Sequence, residues 1–104
     1  MKHTDFAFYL NKFFVQYLPN VKGASPLTID AYRQSFIRYL EYMEDIENKR
    51  ADKIEVKDLS YESIINYLDW IENCKHNGVG TRNQRQSALI SFMRFLMMEL
   101  HEYM

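Results

Sequence analysis

Eight tyrosines are the residues of this chain whose type most directly suggests covalent chemistry, because a phenolic hydroxyl can serve as a nucleophile. Five of them lie on or beside the apolar positions of helical repeats, namely Tyr9, Tyr17, Tyr32, Tyr39 and Tyr67. A tyrosine at such a position packs its ring in the core and leaves its hydroxyl at the rim. We therefore predict structural roles for these five tyrosines.

A metal or thiol site is a second possibility, at Cys74 and the nearby His76. Structural zinc sites take four protein ligands and catalytic ones three, and the sequence has no second cysteine and no other histidine close by. We predict no metal and no cofactor, and interpret Cys74 as a half-buried helix residue. The acidic pair Glu44-Asp45 lies in a charged stretch without the apolar surroundings that acid catalysis needs, which indicates a solvated turn.

Basic side chains are unevenly distributed, although the net charge is only -1. Residues 73–98 contain no Asp or Glu, and they contain Lys75, Arg82, Arg85 and Arg94. At about 100° per residue, Asn83, Ser87 and Arg94 form a polar stripe opposite the apolar positions of one helix, and Arg82 and Arg85 lie in its first turn. Such a helix, with its positive N-terminal end, suits a phosphate backbone, although polar faces are more often only solvated.

Length and composition predict one compact domain. The chain has 104 residues, of which 47% are hydrophobic, with three Gly and two Pro, so it has enough apolar surface for one core and too little length for two. No apolar run reaches the roughly 20 residues of a membrane span, and the first ten residues lack a signal-peptide pattern. With a single cysteine, these features predict a cytoplasmic protein without a membrane partner.

Apolar residues at steps of three and four predict an all-α, four-helix bundle. The first helix is expected from Thr4 to Leu18, with Pro19 and Gly23 ending it. The second begins at Ser25-Pro26, an N-cap followed by a proline at the first helical position, and reaches about residue 44. Residues 44–59 are expected to form a charged loop with a short turn.

The third helix is expected from residue 58 or 60 to about Lys75. The fourth is expected to start at Thr81, whose spacing to Gln84 matches a capping box. Its predicted buried residues are Leu89, Phe92, Met93, Leu96 and Leu100. Methionines near the chain end, Met97 and Met98 among them, either pack in the core or form an adaptable patch for a partner.

Three segments carry a resemblance to a known family. They are 25–33 (SPLTIDAYR) with 36–40 (FIRYL), 59–60 (LS) with 65–72 (INYLDWIE), and 81–96 (TRNQRQSALISFMRFL). In this order they are similar to the second, third and last helices of the N-terminal core-binding domain of tyrosine recombinases, the phage-integrase family. The resemblance spans nearly the whole chain.

The resemblance implies a SAM-like, orthogonal four-helix bundle that grips one face of duplex DNA at a core recombination site. A separate C-terminal catalytic domain of the same protein and further recombinase protomers would complete the complex. Because the second and fourth helices face DNA in that family, the implied contact residues are Thr28, Arg33, Arg82, Asn83, Arg85 and Ser87. We add Arg94 from the polar stripe and Thr81 as a cap beside a phosphate. Ile90 departs from the basic or polar residue common in relatives.

Catalysis in this family needs a tyrosine nucleophile and cationic residues that include a His-x-x-Arg motif. None of the three histidines, His3, His76 and His101, is followed by this pattern. We therefore expect residues 1–104 to be a DNA-binding domain that lacks the catalytic domain and is not an enzyme by itself. The alternative is a small helical protein-interaction bundle that uses its acidic loop and methionine-rich end.

Overall fold

The computed structural model describes residues 4–74 and 79–101. In these ranges α1 (Asp5–Lys12) continues into a π-helical segment (Phe13–Val21), followed by α2 (Pro26–Asp45), α3 (Tyr61–Cys74) and α4 (Val79–His101). Two turns of 3₁₀ helix, Ala51–Lys53 and Val56–Asp58, lie between α2 and α3. The predicted all-α class and the order of four helices are confirmed, and the described ranges contain no strand.

Side-chain caps determine where the first two helices begin. The Oγ1 of Thr4 accepts a hydrogen bond from the Ala7 N–H at 3.2 Å. The Oγ of Ser25 accepts one from the Thr28 N–H at 3.2 Å, and Pro26 is the first helical residue of α2. Each cap satisfies a backbone donor for which the first turn has no helical acceptor. The predicted start of α2 is therefore confirmed.

The predicted end of the first helix at Leu18 is wrong, because the chain stays helical through Pro19 to Val21. In an α-helix, proline lacks the N–H that would donate one turn back, and its ring clashes with the carbonyl four residues earlier. The wider π turn relieves this clash. The helix ends at Gly23, which adopts φ +61°, so the predicted role of Gly23 is confirmed and that of Pro19 is not. There the Ala24 N–H donates to the Leu18 carbonyl at 2.8 Å, six residues earlier, which is one residue more than in the Schellman motif of an α-helix.

Aromatic rings from three helices form the centre of the core. The ring centroid of Phe13 lies 5.2 Å from that of Phe92, 5.4 Å from that of Phe95 and 6.3 Å from that of Phe36. Phe13 and Phe92 are fully buried. The rings meet in edge or tilted geometry, which aromatic pairs prefer over a face-to-face sandwich. This cluster holds the first helix against α2 and α4.

A second aromatic group joins α2 to α3. The Tyr67 ring lies 5.2 Å from that of Tyr39 and 5.7 Å from that of Tyr42, and all three side chains are buried. The core roles predicted for Tyr39 and Tyr67 are confirmed. Tyr42 is a core residue that the apolar stripe did not include.

The charged connection between α2 and α3 is fixed to the bundle. Ile54 is fully buried, and Asp58 accepts hydrogen bonds from the Glu55 N–H at 2.8 Å and from Lys49 Nζ at 3.2 Å. Partial burial alone would raise the pKa of Asp58, but these donors outweigh it and hold that pKa below its ordinary value. The segment is ordered by two buried apolar residues, Ile54 and Leu59, and by paired charges.

The start and the end of α4 differ from the prediction. The helix already includes Val79 and Gly80, so Thr81 lies inside the first turn and the predicted N-cap at Thr81 is wrong. A helical glycine costs only about 1 kcal/mol relative to alanine, which packing of the helix against its neighbours can offset. Leu100 was predicted to be buried, but it is 38% exposed. The adjacent Glu99 faces the bundle at this level instead, where it forms an ion pair with Lys12 at 2.9 Å.

Candidate nucleic-acid interface

A groove of about 480 Å³ runs between the beginning of α2 and the middle of α4. Its lining residues are Leu18, Lys22, Ala24, Thr28, Tyr32, Ser87, Ile90, Ser91 and Arg94. Of the residues singled out in the sequence, the fold thus brings together Thr28, Ser87 and Arg94. Asn83 is exposed one turn before Ser87 on the same stripe of α4, which extends the polar surface beyond the groove.

The groove is electropositive. Its charged lining residues are Lys22 and Arg94, both exposed, and neither forms an ion pair with a carboxylate in the part of the chain that the structure describes. The N-terminal end of α2 lies at the same place and adds the positive end of a helix dipole. A polyanion that enters this groove therefore meets two cations and no carboxylate on its walls.

Short hydroxyl side chains supply hydrogen-bond donors between the two cations. The Thr28 Oγ1 accepts a bond from the Ser25 hydroxyl at 3.1 Å, which leaves the Thr28 proton available to a ligand oxygen. Ser87 is exposed and Ser91 is half-buried on the α4 wall. Hydroxyls of this kind commonly bind phosphate oxygens in protein–DNA interfaces.

Arg85 was predicted to lie in the first turn of the fourth helix and to contact DNA. Its side chain instead reaches into the junction of α2, α3 and α4. Its Nη1 donates to the Ser35 Oγ at 3.1 Å, and its Nε is buried. The Ser35 carbonyl accepts a hydrogen bond from the Tyr67 hydroxyl at 3.1 Å. The helical repeat explains this position, because Arg85 lies one turn before the buried Leu89 on the same face.

The Tyr67 hydroxyl stays protonated in this junction. Its burial raises the pKa of Tyr67 well above the ordinary value, and the positive charges of Arg85 and Arg38 only partly oppose the shift. A neutral phenol is the form that can donate to the Ser35 carbonyl. The junction is therefore a hydrogen-bonded link between three helices.

Replacing Arg85 with Met is expected to lower the free energy of unfolding by about 1–3 kcal/mol, because the bond to Ser35 is lost inside the fold. Arg94→Met, at an exposed position, should change it by less than about 0.5 kcal/mol. Urea unfolding followed by circular dichroism measures both values. Equal stabilities of the two variants would contradict the structural role of Arg85.

Arg33 and Arg82 lie outside the groove. Arg33 is 3.7 Å from the Asp30 carboxylate and lies over the Phe14 ring. Because Arg33 follows Tyr32 in α2, its side chain is turned by about 100° from the groove towards the first helix. The Arg82 Nε is 3.3 Å from the Glu72 carboxylate of α3, with its side chain 27% exposed. Both arginines are partly neutralised by the fold, which the spacing of basic residues along the sequence does not reveal.

Other predictions concern metals, membranes and the methionines. Within residues 4–74 and 79–101 no group of three His, Cys, Asp or Glu side chains could hold a metal ion. None of the helices in these ranges is long and apolar enough to cross a membrane.

Met93 packs partly against the core, whereas Met97 is 70% and Met98 50% exposed. Lys75, His76, His3 and the Cys74 side chain lie outside the description.

Comparison with known proteins places this geometry in a family. The model of the phage integrase N-terminal SAM-like domain matches residues 12–100, a range that contains the whole groove from Leu18 to Arg94. The chain belongs to the phage integrase family. The structural description above therefore applies to an integrase N-terminal SAM-like domain.

A curated relative extends the comparison beyond this domain. "Putative integrase/recombinase y4rC" of Sinorhizobium fredii (strain NBRC 101917 / NGR234) is 33% identical over 102 residues. The match covers 98% of this chain and 31% of the relative, so the integrase domain spans about a third of that protein's length. No solved structure was found to match the chain.

Several groove residues were not singled out in the sequence. Lys22 lies three residues after Pro19, which was expected to end the first helix. The position of Lys22 beside α4 therefore depends on the π-helical extension and on the turn at Gly23. Tyr32 was assigned only to the core, although it also lines the groove. Ser91 could have been found, because it lies four residues after Ser87 on the same helical stripe.

Proposed function

We propose that this integrase domain binds duplex DNA through the groove between α2 and α4. The observation that carries the proposal is the pair of exposed cations, Lys22 and Arg94, in a groove whose described lining residues include no carboxylate. DNA binding by proteins draws most of its non-specific free energy from such contacts to phosphates. The family membership and the name of the relative, an integrase/recombinase, support the same assignment.

Four groove residues and the neighbouring Asn83 receive roles in this proposal. Lys22 and Arg94 contact phosphates on the two sides of the groove, and the hydroxyls of Thr28 and Ser87 donate to phosphate oxygens between them. Asn83 extends the contact along α4. These side chains hold the domain in register on the duplex, and phosphate contacts of this kind carry no base sequence information directly.

The remaining arginines and Thr81 are assigned to the margin or to the fold. Thr81 and Arg82 lie in the first turn of α4, beyond Asn83, where a helix N-terminus and one cation would favour an approaching phosphate. Arg33 is placed at the margin on α2, and Arg85 keeps α4 against α2 rather than touching DNA. The proposal therefore concentrates the binding energy on Lys22 and Arg94.

The domain is proposed to act as part of a larger recombinase. Residues 1–104 would bind the DNA while a C-terminal catalytic domain of the same protein cuts and rejoins it, and further protomers would occupy the remaining sites. The domain alone would then bind DNA without cleaving it. The relative of three times the length, named as an integrase/recombinase, supports this arrangement.

A contact with protein is proposed at the other end of α4. Met97 and Met98 expose 70% and 50% of their surface and Leu100 exposes 38%, next to each other along one helix. Methionine side chains adapt to differently shaped partners, which favours a protein contact over solvent exposure. This end of the helix is our candidate for docking the catalytic domain.

Salt-dependent binding to a fluorescently labelled duplex tests the proposed function. With about three to five phosphates neutralised, log K should fall against log salt with a slope of about -3 to -4.5 between about 50 and 200 mM. Fluorescence anisotropy measures the affinity at each salt concentration. Absence of binding at the lowest concentration, or an affinity independent of salt, would overturn the DNA-binding role.

A further inference from the structure

We infer that Ile90 recognises the methyl group of thymine, so that the domain prefers A·T pairs at one position of its site. This inference rests on the proposed DNA-binding function of the α2/α4 groove. It concerns base recognition, whereas the proposed function assigns the polar groove residues to phosphates.

Ile90 is an apolar residue on a polar surface. It is 37% exposed, and its neighbours along the same stripe of α4 are Ser87, Ser91 and Arg94. The core side of the helix is formed by other residues, because Leu89 and Phe92 are buried and Ile90 is outside the buried cluster. The domain therefore covers part of the Ile90 side chain and leaves more than a third of it open on the groove surface.

The side chains beside Ile90 are shorter than Ile90 itself. Serine carries one heavy atom beyond Cβ, whereas isoleucine carries three. The Ile90 side chain is therefore longer than those of Ser87 and Ser91 beside it. Arg94 and Lys22 lie on either side and can reach phosphates. A duplex held by these two cations would thus present its bases to an apolar tip.

Thymine is the base that such a tip can distinguish. In the major groove each base pair presents a different pattern, and the C5-methyl of thymine is its apolar feature, which apolar side chains contact. Isoleucine has no donor or acceptor, so it gains nothing from the polar edges of guanine, cytosine or adenine. The chemistry of the side chain therefore selects a methyl group.

Replacement of thymine by uracil tests this contact, because uracil lacks only the methyl group. The test compares an alternating dA·dT duplex with the same duplex carrying dU, both at low salt. The natural chain should bind the thymine duplex about fourfold more tightly, the effect of burying about one methyl group. Ile90→Ser should bind both duplexes equally, and Ile90→Val should keep most of the difference.

Two controls separate the contact from other effects. Ile37→Ser removes an isoleucine of similar exposure, 41%, from outside the groove and should leave the preference intact. Thermal unfolding by circular dichroism checks that the serine variants are folded. Equal binding of both duplexes by the natural chain, or a preference that survives in Ile90→Ser, would overturn the inference about Ile90. Failure of both duplexes to bind would instead overturn the proposed function.

Discussion

Phe92→Ala is expected to destabilise the domain by about 3–5 kcal/mol, enough to remove a large part of the stability of a domain of this size. The Phe92 ring is fully buried and lies 5.8 Å from Phe6, 5.2 Å from Phe13 and 5.3 Å from Phe36. Its truncation would leave a cavity where α1, the π-helical segment, α2 and α4 meet. The free energy of unfolding in urea measures the loss.

Phe8→Ala is the matched control, because Phe8 is 58% exposed on α1. Its removal should change the stability by less than about 0.5 kcal/mol. If the two phenylalanine variants unfolded at the same urea concentration, Phe92 would not lie in the core and the orientation of α4 would be wrong.

Reversal of both groove charges, with Lys22→Glu and Arg94→Glu in one variant, should reduce the affinity for duplex DNA about a hundredfold at low salt. Two phosphate contacts are lost and two like charges face the backbone instead. The slope of log K against log salt should also become less steep by about 1.8, since each contact contributes about 0.9. Fluorescence anisotropy over a range of salt concentrations measures both effects.

The control for total charge is a variant with Lys53→Glu and Lys57→Glu, both in the connection between α2 and α3 and both exposed. It changes the net charge by the same amount but lies outside the groove lining. We expect this variant to lose much less affinity for DNA than the variant with Lys22→Glu and Arg94→Glu. Equal losses from the two double variants would mean that DNA responds to overall charge and not to the groove.

The helices were predictable from the sequence because their signals are local. Ser25-Pro26 marks the start of α2, and the repeats of aromatic and aliphatic residues place Phe36, Leu89 and Phe92 in the core. The end of the first helix was not predictable in this way, because a π-helical segment accommodates Pro19. The rule that proline ends a helix describes α-helical geometry.

The candidate site was only partly predictable. Arg94, Ser87 and Asn83 share one stripe of one helix, so their common exposure follows from helical spacing alone. The position of Lys22 depends on the turn at Gly23 and on the packing of α2 against α4, which are tertiary features. Arg85 was predicted to contact DNA from the first turn of the fourth helix, whereas its hydrogen bond to Ser35 draws it inside the fold.

Backbone amide chemical shifts during a titration with duplex DNA test the central claim most directly. We predict that the largest shifts fall in two ranges that both line the groove, residues 22–32 at and before the beginning of α2 and residues 83–94 on α4. The exposed end of α4 around Met97 and Met98 should keep its shifts. Largest changes at that end, or on α3, would contradict the assignment of the DNA interface to the α2/α4 groove.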